Sequence, residues 1–548
     1  MTITSEPPTR TVPNRPPAAR LTVLGPHQPR FGEILTPGAL DFIAGLHHQF
    51  GSRRAELLDR RQRRQAGDNS FDFLPETAEL RADPSWQVAP PAPGLEDRRC
   101  EITGPPTRKM TIGALNSGAK VWMADFEDAT SPTWFNLIDG QLNLYDAARR
   151  QIDFTDDSGR RHELKEQVAT IMVRPRGWHL SEEHLRMDGQ PIGGAFVDFG
   201  LHFYHNALTL IASGRGPYFY LPKLESHLEA RLWHDVFAWS ERTLGIPPGT
   251  IRATCLIETF PAVFEMTEIL SELRTYSAGL NAGRWDYIFS AIKSFASDPT
   301  MVLPDRDKIT MTVPFMRSYA ELLVRTCHER GAHAIGGMAA FVPSSASPEV
   351  TRRALEKTRA DKTREARDGF DGSWVAHPGL VDTCTTVFDL ELGERPHQIS
   401  HRRDDVLVSA ADLADLRGLP GGVTLPGVRT NLRVSLTYLC SWVLGRGAVA
   451  IDHLMEDAAT VEISRMQLWQ WIRHGAYTVS HERVTRDLVA GMLAEEAGRL
   501  RAETPDRDRW ALEAARDIVA YGCLRAEFPA FLTEYGYSRY LVHRAMTT

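Results

Sequence analysis

Cysteine is scarce and scattered. Cys100, Cys255, Cys327, Cys384, Cys440 and Cys523 stand far apart with no CxxC pair, which fits reduced thiols better than a disulfide framework or a zinc site. Positive charge has no surplus: 63 Lys and Arg stand against 70 Asp and Glu, a net charge of −7. Little is left to neutralise a phosphate backbone, which argues against a nucleic-acid partner. No apolar run approaches the ~20 residues that cross a bilayer, so a soluble protein without a membrane partner is expected. Internal repeats, low-complexity tracts and a phosphate-cradling P-loop pattern are also missing. The chain ends Ala545-Met546-Thr547-Thr548, unlike a peroxisomal signal, so a cytoplasmic location is expected.

What is present is an ordinary globular composition, 42% hydrophobic and 24% charged, in 548 residues. That length asks for about three domains at ~100–200 residues each. Residues 1–20, rich in Pro, Thr and Arg, have no apolar period and are expected to be a disordered tail. Residues 21–97 form an N-terminal helical region. Its main helix, from about Pro37 to Gln65, carries a stripe of Leu40, Ile43, Leu46, Leu57 and Leu58. It ends in Arg60-Arg61-Gln62-Arg63-Arg64, read as a solvated face.

From residue 98 to 390, short apolar runs alternate with helix-length segments, the pattern of β/α units. The expected strands are Cys100–Thr103, Lys120–Asp125, Thr170–Arg174, Tyr218–Leu221, Thr254–Ile257, Tyr287–Ile292, Ala332–Gly336 and Trp374–His377. Eight of them match a (β/α)8 TIM barrel, with closure rather than an open sheet resting on fold analogy. A strongly charged helix, capped near Ser347 and stopped at Gly369, is read as solvated. Residues 391–548 form a separate C-terminal domain, read as helices only from residue 428 onwards. Its helices are placed at Arg429–Leu444, Glu456–Arg473, Val484–Glu503 and Arg509–Leu524.

The predicted strand ends are chemically unusual. The fifth run ends in Glu258, and Asp286 leads into the sixth. Neighbouring strands lie ~5 Å apart, so the two acids can share a hard divalent cation. A salt-bridged pair of surface acids is the other reading. The second run ends in Asp125, Glu127 and Asp128, the third in Arg174 and Arg176, the fourth in Lys223 and Glu225, and the eighth in His377-Pro378. A metal and an anionic substrate together need that mixture of acids and arginines.

The stretches AKVWMADFEDATSPTW, TIMVRPRGWHL, YFYLPKLESHLEARLW, CLIETF, GLNAGRWDYIFSAIK, DGSWVAHPGL and LMEDAATVEISRMQLWQW resemble the malate synthase family in its shorter A-type form. They occur in the family's order between about residues 98 and 475. The resemblance implies a TIM barrel with an N-terminal helical clasp and a C-terminal helical plug. It implies the joining of acetyl-CoA to glyoxylate and hydrolysis of the product to malate and CoA. It also implies a Mg²⁺ cofactor, for which Mn²⁺ can substitute.

Carried over residue by residue, the resemblance makes Asp457 the catalytic base. The same residue starts a predicted helix, so it also reads as an N-cap, a place that lowers carboxylate basicity. Arg174 matches the catalytic, glyoxylate-binding arginine, with Arg176 as its rival on the same side of the strand. Glu258 and Asp286 match the metal ligands, and the Gly283-Arg284-Trp285-Asp286 turn matches the loop whose N–H groups hold glyoxylate. Asp125 and Glu127 look like outer acids holding metal-bound waters. Pro378, Phe341 and Pro343 are candidate CoA contacts. A malyl-CoA or citramalyl-CoA lyase of the same superfamily and a non-catalytic barrel scaffold are the alternatives. Those lyases are shorter and lack the LMEDAA region. Oligomeric state stays open.

Overall fold

The computed structural model describes residues 21–65 and 71–542; the expected disordered tail, residues 1–20, lies outside them. Eight parallel strands close a barrel: β1 (Glu101–Gly104), β2 (Val121–Asp125), β3 (Thr170–Arg174), β4 (Tyr218–Leu221), β5 (Arg252–Ile257), β6 (Ser277–Ala282), β7 (Ala334–Ala339) and β8 (Gly372–Val375). β8 returns to β1 with Trp374 beside Glu101. The strands read as unbroken apolar runs because both faces are covered. Met123, Met172, Tyr220, Leu256, Ile335 and Trp374 share the interior cluster. At the N-terminal end a fully buried Arg98 spans the barrel. Its Nε donates to Glu101 Oε1 at 2.6 Å, Nη1 to the Ala278 carbonyl at 2.6 Å and Nη2 to Tyr220 Oη at 2.7 Å. Removing one partner of such a buried charge costs ~3–5 kcal/mol.

The sixth strand is not where the apolar run placed it. Residues 277–282 form it, and Tyr287–Ile292 belongs to a helix, Arg284–Ser294. The strand hides in small residues, Ser-Ala-Gly-Leu-Asn-Ala, whose glycine reads as a turn. Gly279 has φ 115, and a Cβ there would stand 2.1 Å from the His333 carbonyl oxygen. The helix looked like a strand because Asp286 through Ile292 are all buried, which erases a one-sided period.

Three helices outside the barrel wall matter for the site: α1 (Pro37–Gln65), α2 (Arg284–Ser294) and α3 (Pro348–Asp368). The arginine run that ends α1 is not all solvated. Arg60 and Arg63 are exposed, whereas Arg61 is buried. Its Nε and Nη2 reach the Glu229 carboxylate at 2.6 and 2.5 Å, and Nη2 also reaches the Lys223 carbonyl at 2.7 Å. Arg64 bonds Glu225. These pairs fasten the clasp helix to the loop after β4. α3 has the expected ends, Ser347 accepting from Val350 N–H and Gly369 at φ 108. Its charges are not all in water, because buried Lys362 and Glu365 bind the Gly337 carbonyl and N–H at 2.7 and 3.1 Å.

The C-terminal region carries α4 (Leu425–Val443), α5 (Ala458–His474), α6 (Arg486–Glu503) and α7 (Arg509–Cys523). It is not helices only. A hairpin, Val449–Ile451 with Leu454–Glu456, precedes α5. Its turn residues Asp452 and His453 both have positive φ, 50 and 64, as a two-residue hairpin turn of the I′ type requires. The turn lacks the Asn-Gly or Asp-Gly pair that flags such a hairpin in sequence. α5 seats on the barrel mouth: Trp471 Nε1 donates to the Leu303 carbonyl at 2.8 Å, and Gln467 Nε2 to that of Pro304 at 2.7 Å. No helix among the described residues is long and apolar enough to cross a membrane.

Gly279→Ala combines a strained φ with a backbone clash. The expected cost is about 3 kcal/mol, read as a lower calorimetric midpoint and a poorer soluble yield. A midpoint equal to that of the unsubstituted chain would show that β6 can move away from residue 333.

Candidate active site

The strand ends converge at one mouth. β2 and β3 pair with Asp125 opposite Arg174, so these side chains leave neighbouring strands on the same side. Arg174 Nε donates to Asp125 Oδ1 at 2.6 Å and Nη2 to Oδ2 at 2.5 Å. The same carboxylate accepts from the N–H groups of Glu127 and Ala129 at 2.9 and 2.8 Å. Asp125 therefore folds the bend after β2 and aims the arginine. Arg174 Nη1 lies 3.1 Å from Asp128 Oδ2. Arg176 is engaged elsewhere, by Asp198 at 2.8 and 2.9 Å and Glu182 at 2.9 Å.

Glu258 directly follows β5, and Asp286 sits in the first turn of α2. The β5–β6 register, Ile257 beside Ala282, brings them together. Asp128 joins them: these three buried residues each offer a carboxylate oxygen, all within 4.8 Å of one another. Gly283 makes room for the group, since a Cβ there would meet Glu258 Cβ at 2.6 Å. Asp286 Oδ1 is buried with no hydrogen-bond partner among the described residues. An all-oxygen cluster with an unsatisfied buried oxygen is the donor set of a hard divalent cation.

Lys223 offsets part of this negative charge. Its Nζ lies 2.9 Å from Asp128 Oδ1, 3.0 Å from Asp286 Oδ2 and 3.5 Å from Glu127 Oε1. Its backbone N–H donates to Glu258 Oε1 at 2.8 Å with φ 52, a left-handed conformation that costs a non-glycine residue ~1 kcal/mol or more. Burial pushes the Glu258 and Asp286 carboxyls up from the usual carboxylate range, against the pull of Lys223. Burial also raises Asp128, but Lys223 and Arg174 outweigh it and hold that carboxyl low. Glu127 is pushed up by burial to about 7; its Oε2 accepts from Gly177 N–H at 2.5 Å.

The helical domain lends Asp457. It caps α5, with Asp457 Oδ1 accepting from Thr460 N–H at 3.3 Å and Thr460 Oγ1 accepting from Asp457 N–H at 3.1 Å. The hairpin before it is pinned to the loop after β7, Met455 N–H donating to the Ala340 carbonyl at 2.7 Å. Ala458 N–H and Tyr438 Oη both donate to the Asp128 carbonyl, at 3.3 Å each. The cap does not make Asp457 a weak base, as the helix end alone suggests. Burial, reinforced by the Asp128 charge, raises its carboxyl well above the usual range.

Asp457 lines a small cavity, ≈ 60 Å³, with Asp128, Arg174, Glu258 and the whole Gly283–Asp286 turn. That turn opens α2, so its first-turn N–H groups lack intrahelical acceptors. Arg284, Trp285 and Met338 are shared with a cavity of ≈ 580 Å³ between the barrel mouth and α4. Phe341 lines the larger cavity; Pro343 and Pro378 are not among its lining residues.

Sequence reasoning left Asp128 and Lys223 unassigned. Both stood in view, at the end of Asp-Phe-Glu-Asp and in Pro-Lys-Leu-Glu-Ser. Alternation along a strand cannot rank residues beyond its end, and β2 stops at Asp125. Asp286 was read at a strand entrance and lies instead in the first turn of a helix.

Three family profiles match the chain: "Malate synthase, N-terminal domain" over residues 19–79, "Malate synthase, TIM barrel domain" over 170–416 and "Malate synthase, C-terminal" over 422–540. A Streptomyces clavuligerus malate synthase is 56% identical over 539 residues, covering 96% of this chain and 98% of that one. A Myxococcus xanthus malate synthase is 51% identical over 527 residues, covering 95% and 96%. A glyoxysomal malate synthase of Zea mays is 48% identical over 535 residues, covering 95% of each. With that identity running through nearly the full length of both partners, the chain belongs to the malate synthase family.

Proposed function

We propose that the chain condenses acetyl-CoA with glyoxylate and hydrolyses the resulting thioester to malate and CoA. The observation that carries this reading is the meeting of a carboxylate from the helical domain, Asp457, with Arg174 and the barrel's acid cluster around one cavity. Asp128, Glu258 and Asp286 would hold the divalent cation, Mg²⁺ with Mn²⁺ as substitute, since all offer hard oxygens. When bound, such a cation polarises the glyoxylate aldehyde as a Lewis acid.

The chain's own groups do the rest. The open N-terminus of α2 takes the glyoxylate carboxylate. Asp457, kept basic by burial, removes a proton from the acetyl methyl. Arg174 stabilises the enolate oxygen that forms, and its tie to Asp125 fixes that position beforehand. The enolate carbon then attacks the aldehyde. The ≈ 580 Å³ cavity sharing Arg284, Trp285 and Met338 with the centre is the place for coenzyme A, being in the size range of ligand pockets. Free thiols at all six cysteines accord with a cytoplasmic location.

Thiol release from acetyl-CoA and glyoxylate is the direct assay; a lyase that stops at the thioester releases none. Glu258→Gln and Asp286→Asn should each abolish turnover and weaken Mg²⁺ binding measured by calorimetry without substrate. Normal Mg²⁺ affinity in either variant would remove that residue from the ligand set. Arg174→Lys keeps the charge but loses the fork that Asp125 holds, and kcat should fall ~100-fold or more. A nearly unchanged kcat would exclude Arg174 from the chemistry.

Asp457→Asn keeps an oxygen for the α5 cap, so the melting temperature should change little. Turnover should fall ~100-fold or more, and solvent exchange of the acetyl methyl protons should fall with it. A large drop in melting temperature with turnover retained would make Asp457 a cap alone.

A further inference from the structure

The reaction centre has a second side. Apart from the large cavity, Asp128 also lines a pocket of ≈ 20 Å³ with Glu127, Lys223 and His179. That volume is enough for about one water, which needs ~10–15 Å³ and two to four polar partners. Partners are at hand. His179 Nδ1 is buried with no hydrogen-bond partner among the described residues, and its ring stacks on Phe531 with centroids 4.0 Å apart. His179, Ser181, Phe531 and Tyr537 then form part of the wall of a third cavity, ≈ 370 Å³, between the end of α1 and residues 530–538. Its lining is polar as well as aromatic, with Arg61, Gln62, Glu225, Lys293 and Glu534. Neither of these cavities shares a lining residue with the ≈ 580 Å³ one.

We propose that this second run of cavities, through Ser181 and His179 to Asp128, delivers the water that hydrolyses the thioester. The inference rests on the synthase reading above. Coenzyme A in the large cavity closes that side of the centre at the stage when water is consumed. In hydrolysis the thioester C–S bond breaks and the water oxygen forms the new C–O bond. One water hydrogen ends on the coenzyme A sulfur, and the other leaves as a proton when the carboxylate forms. Each turnover therefore takes in a water while the thioester's own entrance is filled. The separate polar path supplies it.

Two plugging variants test this, neither of them at one of the acids or at Arg174. Gln62→Trp fills the outer cavity from an exposed position on α1, and Ser181→Phe fills the wall shared by the two pockets. Both are assayed in the full chain by quenched-flow mass spectrometry of the thioesters alongside thiol release. The expected result is that thiol release falls about tenfold or more, acetyl-CoA is still consumed, and malyl-CoA accumulates. Thiol release within about twofold of the unsubstituted chain, in folded variants whose cavity is filled crystallographically, overturns the proposal. So does a raised KM for glyoxylate without malyl-CoA, which would make the path the acid's entrance. If Ser181→Phe does not fold, Gln62→Trp alone decides. An unsubstituted chain that releases no thiol overturns the synthase reading and this one together, whereas an active one with normal variants overturns only this one.

Discussion

Like charges held together away from water are the constraint around which the molecule is built. Glu127, Asp128, Glu258, Asp286 and Asp457 crowd one buried region, with Lys223 and Arg174 as the cations that pair with them there. Carboxylates in that setting repel one another, and all but Asp128, which Lys223 and Arg174 hold low, resist ionisation. The surrounding structure keeps them there regardless. Lys223, in a left-handed backbone conformation, contacts four of them, three through Nζ and Glu258 through its N–H, and Asp125 is committed to holding Arg174. Arg61 of the clasp helix ties down the segment that carries Lys223. A cation joining the cluster, as proposed, would relieve the repulsion.

The barrel and the helical domain divide the chemistry. Barrel strand ends supply the groups proposed to bind anion and metal, where parallel barrels carry their active sites. The group proposed to move the first proton comes from outside the barrel. A hairpin clipped to the loop after β7, and a helix seated on Asp128's carbonyl, set its position. Asp457 thus combines the helix cap with the proposed base role. One carboxylate oxygen satisfies the helix end, and burial keeps the group basic despite it.

Much of this was legible in the sequence because it follows from local rules. The long helix from Pro37 to Gln65, the ends of the charged helix at Ser347 and Gly369, and seven barrel strands all announce themselves by composition and punctuation. β6 did not, because its backbone lies too close to residue 333 for anything but glycine, and glycine mimics a turn. Helix Arg284–Ser294 was disguised by burial on every side. Glu258, Asp286, Arg174 and Asp457 carried motifs, and the structure gathers them at one cavity. Asp128 and Lys223 depend on where the chain goes after a strand ends, which alternation does not encode. Arg61 was hidden in a run whose neighbours face water.

The placement of Asp457 also sets an order of assembly during synthesis. A ribosome completes all eight barrel strands, and with them the acid cluster, before the hairpin and α5 emerge. Domains fold as units, with N-terminal ones first. On the proposed reading, the nascent barrel would hold its cation and small acid while the proposed proton-abstracting group is still inside the ribosome. Reactive enolate would then have no means of forming in an unfinished chain. The proposed chemistry would begin only when the last domain docks.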